Sequence, residues 1–370
     1  MHVKNSAFKN QFNNKVVVVT GHTGFKGSWI TAWLKQLGAK VIGISLNLPT
    51  TPSHFAAASL VDGMVDYRID IRNRAALEEA ISLVKPDFLF HLAAQALVRK
   101  SYEDPIETWE TNVLGTLNVL EALRKLNKHC AAVIITSDKC YDNVEWAWGY
   151  RETDAMGGPD PYSASKGAAE LAISSYIKSY FPKASSLVRI ASARAGNVIG
   201  GGDWAADRIV PDCVKAWSIN RSVELRNPYS TRPWQHVLEP LSGYLSLAIA
   251  LNQRPELHGE PMNFGPQAQQ NHSVYELVQQ MALHWQQVRW KDVSETFAGP
   301  YESGLLKLNC DKALHYLQWH AVMGFKDTVR MTAEWYRAYY LEPLSIPATT
   351  IAQIEAYTEI ARQHGLGWAQ

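Results

Sequence analysis

The chain has 370 residues, which is long enough to bury a large core, so one α/β unit with an appended smaller lobe is expected before several independent domains. Its 36 basic and 35 acidic residues leave a net charge of +1. No excess of either sign therefore favours nucleic acid or an anionic membrane as a partner. An anionic small ligand would need local arginines.

Cysteine usage and the start of the chain indicate a compartment. Four widely spaced cysteines without a C-x-x-C pattern are typical of reduced thiols, and they predict neither a disulfide framework nor a metal site. Met1 to Lys15 is polar and lacks the apolar core of a signal peptide. No apolar run approaches the roughly 20 residues that a spanning helix needs. We therefore expect a soluble, cytoplasmic protein without a membrane partner.

The first motif is a glycine-rich turn. The β-branched run Lys15 to Thr20 predicts a strand, and a helical apolar pattern follows Gly27. Glycines between them let the backbone approach a pyrophosphate, and the free N–H groups at the helix start can hold it. A tight turn without a ligand is the alternative. The residues predicted to bind a dinucleotide here are Gly21, Thr23, Gly24, Phe25 and Gly27.

The second predicted strand, Lys40 to Ser45, ends without the acidic residue that binds the adenosine ribose in many NAD sites. Ser45 stands at that point and can hydrogen-bond a ribose hydroxyl. No Arg or Lys follows promptly to take a 2′-phosphate, so the sequence favours NAD over NADP. We expect a weaker affinity than an aspartate would give.

Two further stretches complete the predicted cofactor site. The third strand is predicted to end at Asp70 and Ile71, where the carboxylate can reach an adenine amine and Ile71 can pack on the ring; a solvated strand end is the alternative. The next apolar strand, Asp87 to His91, opens into small residues that let a cofactor lie close to the backbone. These small residues are Leu92, Ala93 and Ala94.

A long predicted helix, Pro105 to Leu126, carries Asn112. A polar side chain on an otherwise packed helix indicates a buried hydrogen bond.

The strand Ala132 to Ile135 is followed by Thr136 and then by a hydroxyl, a carboxyl and an amine, on Ser137, Asp138 and Lys139. In open α/β sheets the carboxyl edge is where ligands bind, so three such groups in a row predict a site. A polar loop that caps a strand is the alternative.

The stretch Asp160 to Lys166 places a phenol and an ammonium four residues apart at a predicted helix start. That spacing puts Tyr162 and Lys166 on one face of the helix. A phenol titrates near 10, so Tyr162 can act as a base only where positive charge stabilises its phenolate, and Lys166 is placed to supply some. A surface tyrosine and lysine on an ordinary helix is the alternative.

Past a strand at Ser186 to Ala193, the chain is predicted to enter a second lobe. Arg208 and Arg232 are candidates to hold a diphosphate, since guanidinium groups bind phosphate oxygens in pairs; a surface salt bridge is the alternative for each. We expect residues 1–195 to form the dinucleotide-binding domain and 196–370 the substrate lobe. A segment near 230–270 is expected to return to the first domain.

Together these motifs resemble those of extended short-chain dehydrogenase/reductases that act on nucleotide sugars. The resemblance covers about residues 14 to 340 and implies a doubly wound parallel sheet of the Rossmann type. Lysine after Asp138 is similar to the subgroup of 4,6-dehydratases that acts on CDP-glucose, whereas the dTDP-glucose enzymes have glutamate there. The missing acid after the second strand departs from the wider family. The motifs that carry the resemblance are the glycine turn, His91 to Gln95, Ser137 with Tyr162 and Lys166, Arg194 with Asn197, and Arg232 to Val237.

The resemblance implies an NAD-dependent hydro-lyase with CDP-glucose as substrate, active as a homodimer in deoxysugar and lipopolysaccharide synthesis. Tyr162 would take the O4 proton, with Ser137 on O4 and Lys166 on the phenolate and the nicotinamide ribose. Asp138 would protonate the departing O6, and Lys139, in its neutral form, would remove the C5 proton. Substrate contacts are implied for Gln95, Asn197, Arg208, Arg232 and His236.

Two other functions stay open. A nucleotide-sugar C4-epimerase or simple dehydrogenase needs the hydroxyl, phenol and ammonium but has no use for an acid and a base at Asp138 and Lys139. A cofactor-sensing binding protein would need none of these groups.

Overall fold

The structure is a computed structural model that describes residues 7–183, 185–286, 288–294 and 305–370. The beginning of the polar stretch Met1 to Lys15 lies outside the described residues. Among the residues described, no helix combines the length and the apolar character needed to cross a bilayer.

Strands and helices largely alternate through the first half of the chain. In chain order, the strands are β1 (Val16–Thr20), β2 (Lys40–Ser45), β3 (Val65–Arg68), β4 (Phe88–His91), β5 (Cys130–Ile135), β6 (Val188–Ala195), β7 (Val198–Ile199), β8 (Val223–Leu225), β9 (Thr231–Arg232), β10 (Gln235–His236), β11 (Pro261–Phe264), β12 (His272–Ser273) and β13 (Trp290–Asp292). The α-helices are α1 (Phe25–Gln36), α2 (His54–Ala57), α3 (Arg74–Val84), α4 (Val98–Glu103), α5 (Pro105–Trp109), α6 (Gly115–Arg124), α7 (Pro161–Tyr180), α8 (Ile209–Ser218), α9 (Leu238–Gln253), α10 (Val274–Ala282), α11 (Asp311–Leu317), α12 (Phe325–Leu341) and α13 (Ile346–Gln363).

Seven parallel strands form the central sheet, in the order β11-β6-β5-β4-β1-β2-β3. The strand order reverses direction between β1 and β4, as in doubly wound folds. Apolar side chains on both faces explain the buried strands: Val17 and Val19 pack into one core layer, and Val18 packs into the other. The predicted doubly wound α/β fold is confirmed.

The helix predicted from Pro105 to Leu126 is interrupted. A π-helical turn, Glu110–Leu114, separates α5 from α6. Such turns are often found at functional sites, and this one carries Asn112. Periodicity alone cannot place one extra residue in a helix, which is why the sequence predicted a continuous element.

The C-terminal helix α13 packs against α1, an arrangement that the sequence did not predict. Trp33 of α1 contacts both Tyr357 and Trp368, with ring centroids 5.8 Å apart in each pair. Phe8 stacks on Trp368 at 4.8 Å. The end of the chain therefore covers the outer face of the first helix. Within the segment predicted to return to the first domain, β11 joins the sheet beside β6.

Candidate active site

The glycine turn makes a tight link between β1 and α1. Gly21 has a φ of 73°, and a Cβ atom there would lie 2.6 Å from the backbone N of Ala93. A Cβ on Gly27 would lie 2.0 Å from the carbonyl O of Gly21, so only glycine allows this approach. Helix α1 begins after Gly24 without a side-chain cap and without an acidic residue in its first turn. Its first N–H groups can therefore receive an anion.

Ser45 ends β2 as predicted, and its hydroxyl is already bonded within the protein. His22 Nδ1 lies 2.9 Å from Ser45 Oγ, and the backbone N of Thr23 lies 3.4 Å from the same oxygen. His22 Nε2 lies 3.0 Å from Asp66 Oδ1; burial lowers the pKa of this histidine and the Asp66 charge opposes the shift. A ribose hydroxyl would share Ser45 with His22, a partner that sequence reasoning missed.

The strand predicted to reach Asp70 and Ile71 ends earlier, at Arg68. Asp70 is hydrogen-bonded by the Arg72 guanidinium, at 3.0 Å and 2.7 Å to Oδ2, and this bonding holds the pKa of Asp70 below its usual range. Ile71 is buried, and its Cδ1 fills the space beside the Cα of Gly115. Both roles toward an adenine remain predictions.

Leu92, Ala93 and Ala94 leave β4 beside the glycine turn and are half-buried. The backbone N of Ala93 donates to Thr20 Oγ1 at 3.3 Å. The close contact of Ala93 with Gly21 places this small-residue loop along the predicted path of the cofactor.

Asn112 and Gln95 fix the loop that follows β4. Asn112 Oδ1 accepts from the backbone N of Gln95 at 2.9 Å, and its Nδ2 donates to the Gln95 carbonyl at 3.1 Å and to Ser165 Oγ at 2.9 Å. The predicted buried hydrogen bond of Asn112 is confirmed. The Gln95 amide itself bonds Leu97 and Thr108. A contact with cofactor or substrate would require these amides to give up bonds that hold the loop.

The residues Ser137 to Cys140 form what we call the catalytic turn, a Ser137 cap followed by a 3-10 turn. Ser137 Oγ accepts from the backbone N of Lys139 at 3.2 Å and donates to Asp138 Oδ1 at 3.0 Å. Burial raises the pKa of the Tyr162 phenol, and the nearby Ser137 hydroxyl opposes that shift. The predicted hydroxyl, acid and phenol are thus brought together.

Asp138 is 7% exposed, and burial raises the pKa of its carboxyl while the Lys139 charge opposes the shift. A Cβ on Gly196 would lie 2.9 Å from Asp138 Oδ2, so the end of β6 lies against the carboxyl group. Lys26, which sequence reasoning missed, interacts with Asp138 from the glycine turn; burial lowers the pKa of Lys26 to about 8. Burial is the larger effect and favours the neutral acid, whereas the charges of Lys139 and Lys26 favour the carboxylate.

Lys139 is half-buried beside Asp138 on the catalytic turn. Its backbone is fixed by the bond to Ser137, and its side chain can act as a base only in the neutral form. Its role remains a prediction.

Helix α7 begins at Pro161, at the predicted start. Asp160 caps it by accepting from the backbone N of Ser163 at 2.9 Å and from its Oγ at 2.6 Å. A Cβ on Gly167 would lie 3.2 Å from the carbonyl O of Cys140, so glycine lets the helix pack closely on the catalytic turn.

Tyr162 and Lys166 lie one turn apart on the buried face of α7, with Lys166 Nζ 6.0 Å from the centroid of the tyrosine ring. Burial raises the pKa of Tyr162 to about 12, and the nearby Ser137 hydroxyl opposes the shift. Burial lowers the pKa of Lys166 to about 8. The phenolate therefore needs more positive charge than Lys166 alone supplies.

A buried ion pair beneath the catalytic turn was missed by sequence reasoning. Both carboxylate oxygens of Glu170 accept from Arg194, at 2.9 Å and 2.8 Å, and the two residues are 4% and 1% exposed. Arg194 also donates to Tyr141 OH at 2.7 Å, and Glu170 accepts from Thr136 Oγ1. Because Thr136 and Tyr141 flank the catalytic turn, the pair fixes both of its ends. The available signal was Arg194, a charged residue in a strand of mostly small and apolar residues.

One of the two predicted diphosphate arginines, Arg208, lies beside a carboxylate, as do the neighbouring Arg99 and Arg226. Arg208 Nη1 lies 2.6 Å from Asp203 Oδ2, and the Asp203 charge raises the pKa of Arg208. Asp207 lies 3.0 Å from Arg99 and 2.8 Å from Arg226. A phosphate that binds these arginines would have to displace the carboxylates of Asp203 and Asp207 from them.

The other predicted substrate residues are more scattered. Asn197 is exposed just after β6, and Arg232 is half-buried, donating to the carbonyl O of Thr231 at 2.8 Å. His236 is 0% exposed, lies 6.1 Å from the Trp29 ring, and has a pKa lowered to about 3 by burial. His236 thus lies in the core, and its Nε2 has no hydrogen-bond partner among the described residues; its contact with a substrate stays a prediction.

The parallel sheet, the glycine turn after β1 and the grouping of Ser137, Tyr162 and Lys166 define an extended short-chain dehydrogenase/reductase. The family profile described as GDP-mannose 4,6 dehydratase matches residues 18–332. CDP-glucose 4,6-dehydratase of Salmonella typhimurium is 48% identical over 335 residues, which are 90% of this chain and 93% of that protein. The chain belongs to the GDP-mannose 4,6-dehydratase family.

Solved structures agree on the fold. UDP-glucose 4-epimerase of Thermus thermophilus, in complex with NAD, has a TM-score of 0.71 and 25% identity, covering 87% of this chain and 99% of that chain. dTDP-glucose 4,6-dehydratase of Bacillus anthracis, in complex with NAD, has a TM-score of 0.71 and 20% identity, covering 89% of this chain and 99% of that chain.

Proposed function

We propose that the chain converts CDP-D-glucose to CDP-4-dehydro-6-deoxy-D-glucose and water, with NAD as a cofactor that is regenerated in each turnover. The observation that carries the proposal is the catalytic turn, where Asp138 and Lys139 directly follow the hydroxyl that lies near Tyr162. Epimerases and simple dehydrogenases on this scaffold have no use for that acid and base. The 48% identity over 90% of the chain supports the same choice.

The chain's own residues fit a dinucleotide. The cradle between Gly21, Gly27 and Ala93 would be filled by any Cβ, and the start of α1 offers uncapped N–H groups to a pyrophosphate. Ser45 and Asp70 would meet the adenosine half, and Lys166 the nicotinamide ribose. When bound, NAD would supply the hydride chemistry, with transfer from C4 of the sugar and return to C6.

Oxidation at C4 needs a base for the O4 proton. The Tyr162 phenolate takes that proton, Ser137 holds O4, and the Lys166 ammonium stabilises the phenolate. All three side chains are buried, and electrostatic interactions are stronger in the protein interior than in water.

Elimination across C5 and C6 depends on the C4 ketone, because only an adjacent carbonyl makes the C5 hydrogen acidic enough to remove. Lys139 removes that proton, and Asp138 gives its own proton to O6, which departs as water. Burial raises the pKa of the Asp138 carboxyl, which favours the neutral form that this step requires. Lys139 then returns a proton to C5 when C6 is reduced.

Arg208 and Arg232 are the proposed ligands of the diphosphate. Arg208 must exchange Asp203 for phosphate oxygens, which a guanidinium fork can bind in the same bidentate way as a carboxylate. Arg99 and Arg226, which both pair with Asp207, could make the same kind of exchange.

The proposed assembly is a homodimer in the cytoplasm, and the product class feeds deoxysugar and lipopolysaccharide synthesis. Helices α5 and α7 and the π-helical turn between α5 and α6 expose large apolar side chains that a second copy would cover. Examples are Ile106 at 66%, Leu114 at 52% and Leu171 at 65% exposed.

The activity is tested by incubating the chain with NAD and, in parallel, CDP-, dTDP-, UDP- and GDP-glucose. We expect a 4-keto-6-deoxy product from CDP-glucose, with one solvent deuterium at C5 when the reaction is run in deuterated water. A C4-epimer as the sole product, or no reaction with any nucleotide, contradicts the proposal.

The base assignment is tested with Lys139→Met. Turnover should fall by at least about 100-fold, the usual scale for loss of an acid/base group, and deuterium at C5 should disappear. Lys40→Met, which removes an exposed lysine at the start of β2, is the matched control. Full dehydration by Lys139→Met with deuterium still at C5 would return the role to Asp138 or water.

A further inference from the structure

The catalytic turn carries groups for two separate chemical steps, and the inference that follows rests on the proposed function. Ser137, which caps the turn, serves the oxidation at C4. Asp138 and Lys139, inside the turn, serve the elimination across C5 and C6. Different contacts hold the two ends of the turn, so each step can have a support of its own.

The start of the turn is fixed to the helix that carries the other oxidation residues. Thr136, directly before Ser137, donates from its hydroxyl to Glu170 of α7. Tyr162 and Lys166 lie on the same helix. The position of Ser137 relative to these two side chains therefore depends on α7.

The end of the turn is fixed by the phenol of Tyr141, which directly follows Cys140. Tyr141 OH accepts from Arg194 Nη1 at 2.7 Å and donates to Asn263 Oδ1 at 2.8 Å. Tyr141 and Arg194 are 1% exposed, and Asn263 is 0% exposed. We call these three residues the rear anchor. Because its hydrogen bonds are buried and directional, they fix the phenol in place.

Asn263, on β11, is itself held in one orientation. Its Nδ2 donates to the carbonyl O of Tyr150 at 2.8 Å and to that of Asn309 at 3.1 Å. Both N–H groups of the amide are thereby used, so the amide oxygen must face the Tyr141 phenol. The backbone N of Asn309 also donates to the carbonyl O of Tyr150, at 2.9 Å. The rear anchor thus ties the catalytic turn to parts of the chain other than α7.

We propose that Tyr141 is a positioning residue for the elimination, and that its hydroxyl holds the part of the catalytic turn that carries Asp138 and Lys139. These two side chains must reach neighbouring carbons of one sugar, at C5 and C6, in the same step. A displacement of about 1 Å can cost roughly 100-fold in rate when reacting groups must be aligned. Oxidation at C4 does not depend on this end of the turn.

Tyr141→Phe removes the hydroxyl and leaves most of the local packing in place. The ring of Tyr141 stacks on that of Tyr150, with centroids 5.2 Å apart, and phenylalanine can keep this contact. The carbonyl O of Cys140 accepts from the backbone N of Gly157 at 2.9 Å, a bond that the substitution does not touch. We therefore expect the turn to keep its fold and lose only the rear anchor.

A pair of substrates separates the two steps. CDP-6-deoxy-D-glucose has no O6, so its reaction ends after oxidation: the O4 proton passes to Tyr162, the C4 hydride passes to NAD, and the cofactor stays reduced. CDP-D-glucose continues through elimination. Each NAD-loaded variant is mixed with each substrate. The absorbance of reduced cofactor gives the rate constant of oxidation, and the 4-keto product from CDP-D-glucose gives the turnover.

For Tyr141→Phe we expect an unchanged rate constant with CDP-6-deoxy-D-glucose and a turnover of CDP-D-glucose that falls by about 10- to 100-fold. Asn263→Ala removes the acceptor of the phenol and should show the same selective loss. Thr136→Val is the matched control at the other end of the turn, and it should slow the oxidation of both sugars.

A Tyr141→Phe variant that loses oxidation and turnover by the same factor overturns the proposal, and so does one that keeps both at the level of the intact chain. Turnover is expressed per site that reduces its cofactor, so unfolded chains do not imitate the expected result. Failure of the proposed function itself has a different signature, since the unaltered chain would then form no 4-keto product from CDP-D-glucose.

Discussion

Two regions near the candidate site, which we call the polar wall and the aromatic wall, are held in place by different forces. In the polar wall, beneath the catalytic turn, the Arg194–Glu170 pair and the hydroxyls around it form a buried network of directional bonds. In the aromatic wall, the backbone at Gly201 and Gly202 lies against the side chains of Trp335 and His54. Hydrogen bonds hold the polar wall, and close packing holds the aromatic wall.

The difference follows from what each wall does. Proton transfer needs donors and acceptors at set distances and angles, which a fully satisfied buried network provides. Substrate binding needs a backbone that is held in place and side chains that can exchange their partners for the substrate. The segment after Gly202 does this: Tyr336 OH holds the backbone of Asp203 from behind, while the Asp203 carboxylate pairs with Arg208 in front.

The aromatic wall also gives the C-terminal helices a role. Trp335 and Tyr336 lie on α12, and Trp335 Nε1 donates to Thr350 of α13 at 3.1 Å. His54 bonds the same Thr350 hydroxyl, also at 3.1 Å. The end of the chain thus supports the aromatic wall as well as covering α1.

The largest expected effect tests the polar wall. Arg194→Met should lower the free energy of unfolding by about 3–5 kcal/mol, because it leaves the Glu170 carboxylate buried and unpaired. Adding Glu170→Leu should recover part of that loss, since no buried charge then remains. Urea unfolding measures both. A double variant less stable than Arg194→Met alone would mean that the surrounding hydroxyls, and not the charges, carry the network.

A smaller effect, with a defined pH window, concerns Lys166. The folded pKa is about 8 against 10.5 for the ordinary side chain, so the folded protein binds fewer protons than the unfolded chain between these values. Stability of the intact chain relative to Lys166→Met should therefore rise with pH across this window, by roughly 3 kcal/mol at about 1.4 kcal/mol per pKa unit.

The measurement is urea unfolding of both proteins without cofactor at pH 7 and at pH values up to about 10. At pH 7 Lys166→Met should be the more stable protein although it loses turnover. A stability difference that does not change with pH would show that the Lys166 ammonium is as well solvated in the cleft as in the unfolded chain.

The smallest effect tests the aromatic wall. A Cβ on Gly201 would lie 2.0 Å from Trp335 Cγ, so Gly201→Ala must displace the ring or the backbone. We expect a loss of about 1–3 kcal/mol in stability and weaker binding of CDP-glucose, with NAD affinity unchanged. Calorimetric titration with CDP-glucose and with NAD measures the two affinities separately.

Gly324→Ala is the matched control, because a Cβ there meets no atom within 4 Å. Equal weakening of NAD and CDP-glucose by Gly201→Ala would show that the two walls are not held independently.

The sequence by itself determined the features that depend on neighbours in the chain. Strand β1, the glycine turn and α1 follow from local periodicity, as does the start of α7 at its Asp160–Pro161 cap. The order of groups on the catalytic turn is also local. The doubly wound fold and the position of the chemistry at the sheet edge could be predicted for this reason.

Only the tertiary structure decided which distant residues meet. Arg194 pairs with Glu170, 24 positions away in the sequence, and His54 bonds Thr350, 296 positions away. The family resemblance implied a substrate contact for His236, and only the structure shows that this side chain is buried beside Trp29 of α1. Periodicity shows which face of an element is apolar, but it does not show which other element packs on that face. The partners of buried charges and aromatic rings could therefore not be predicted from the sequence.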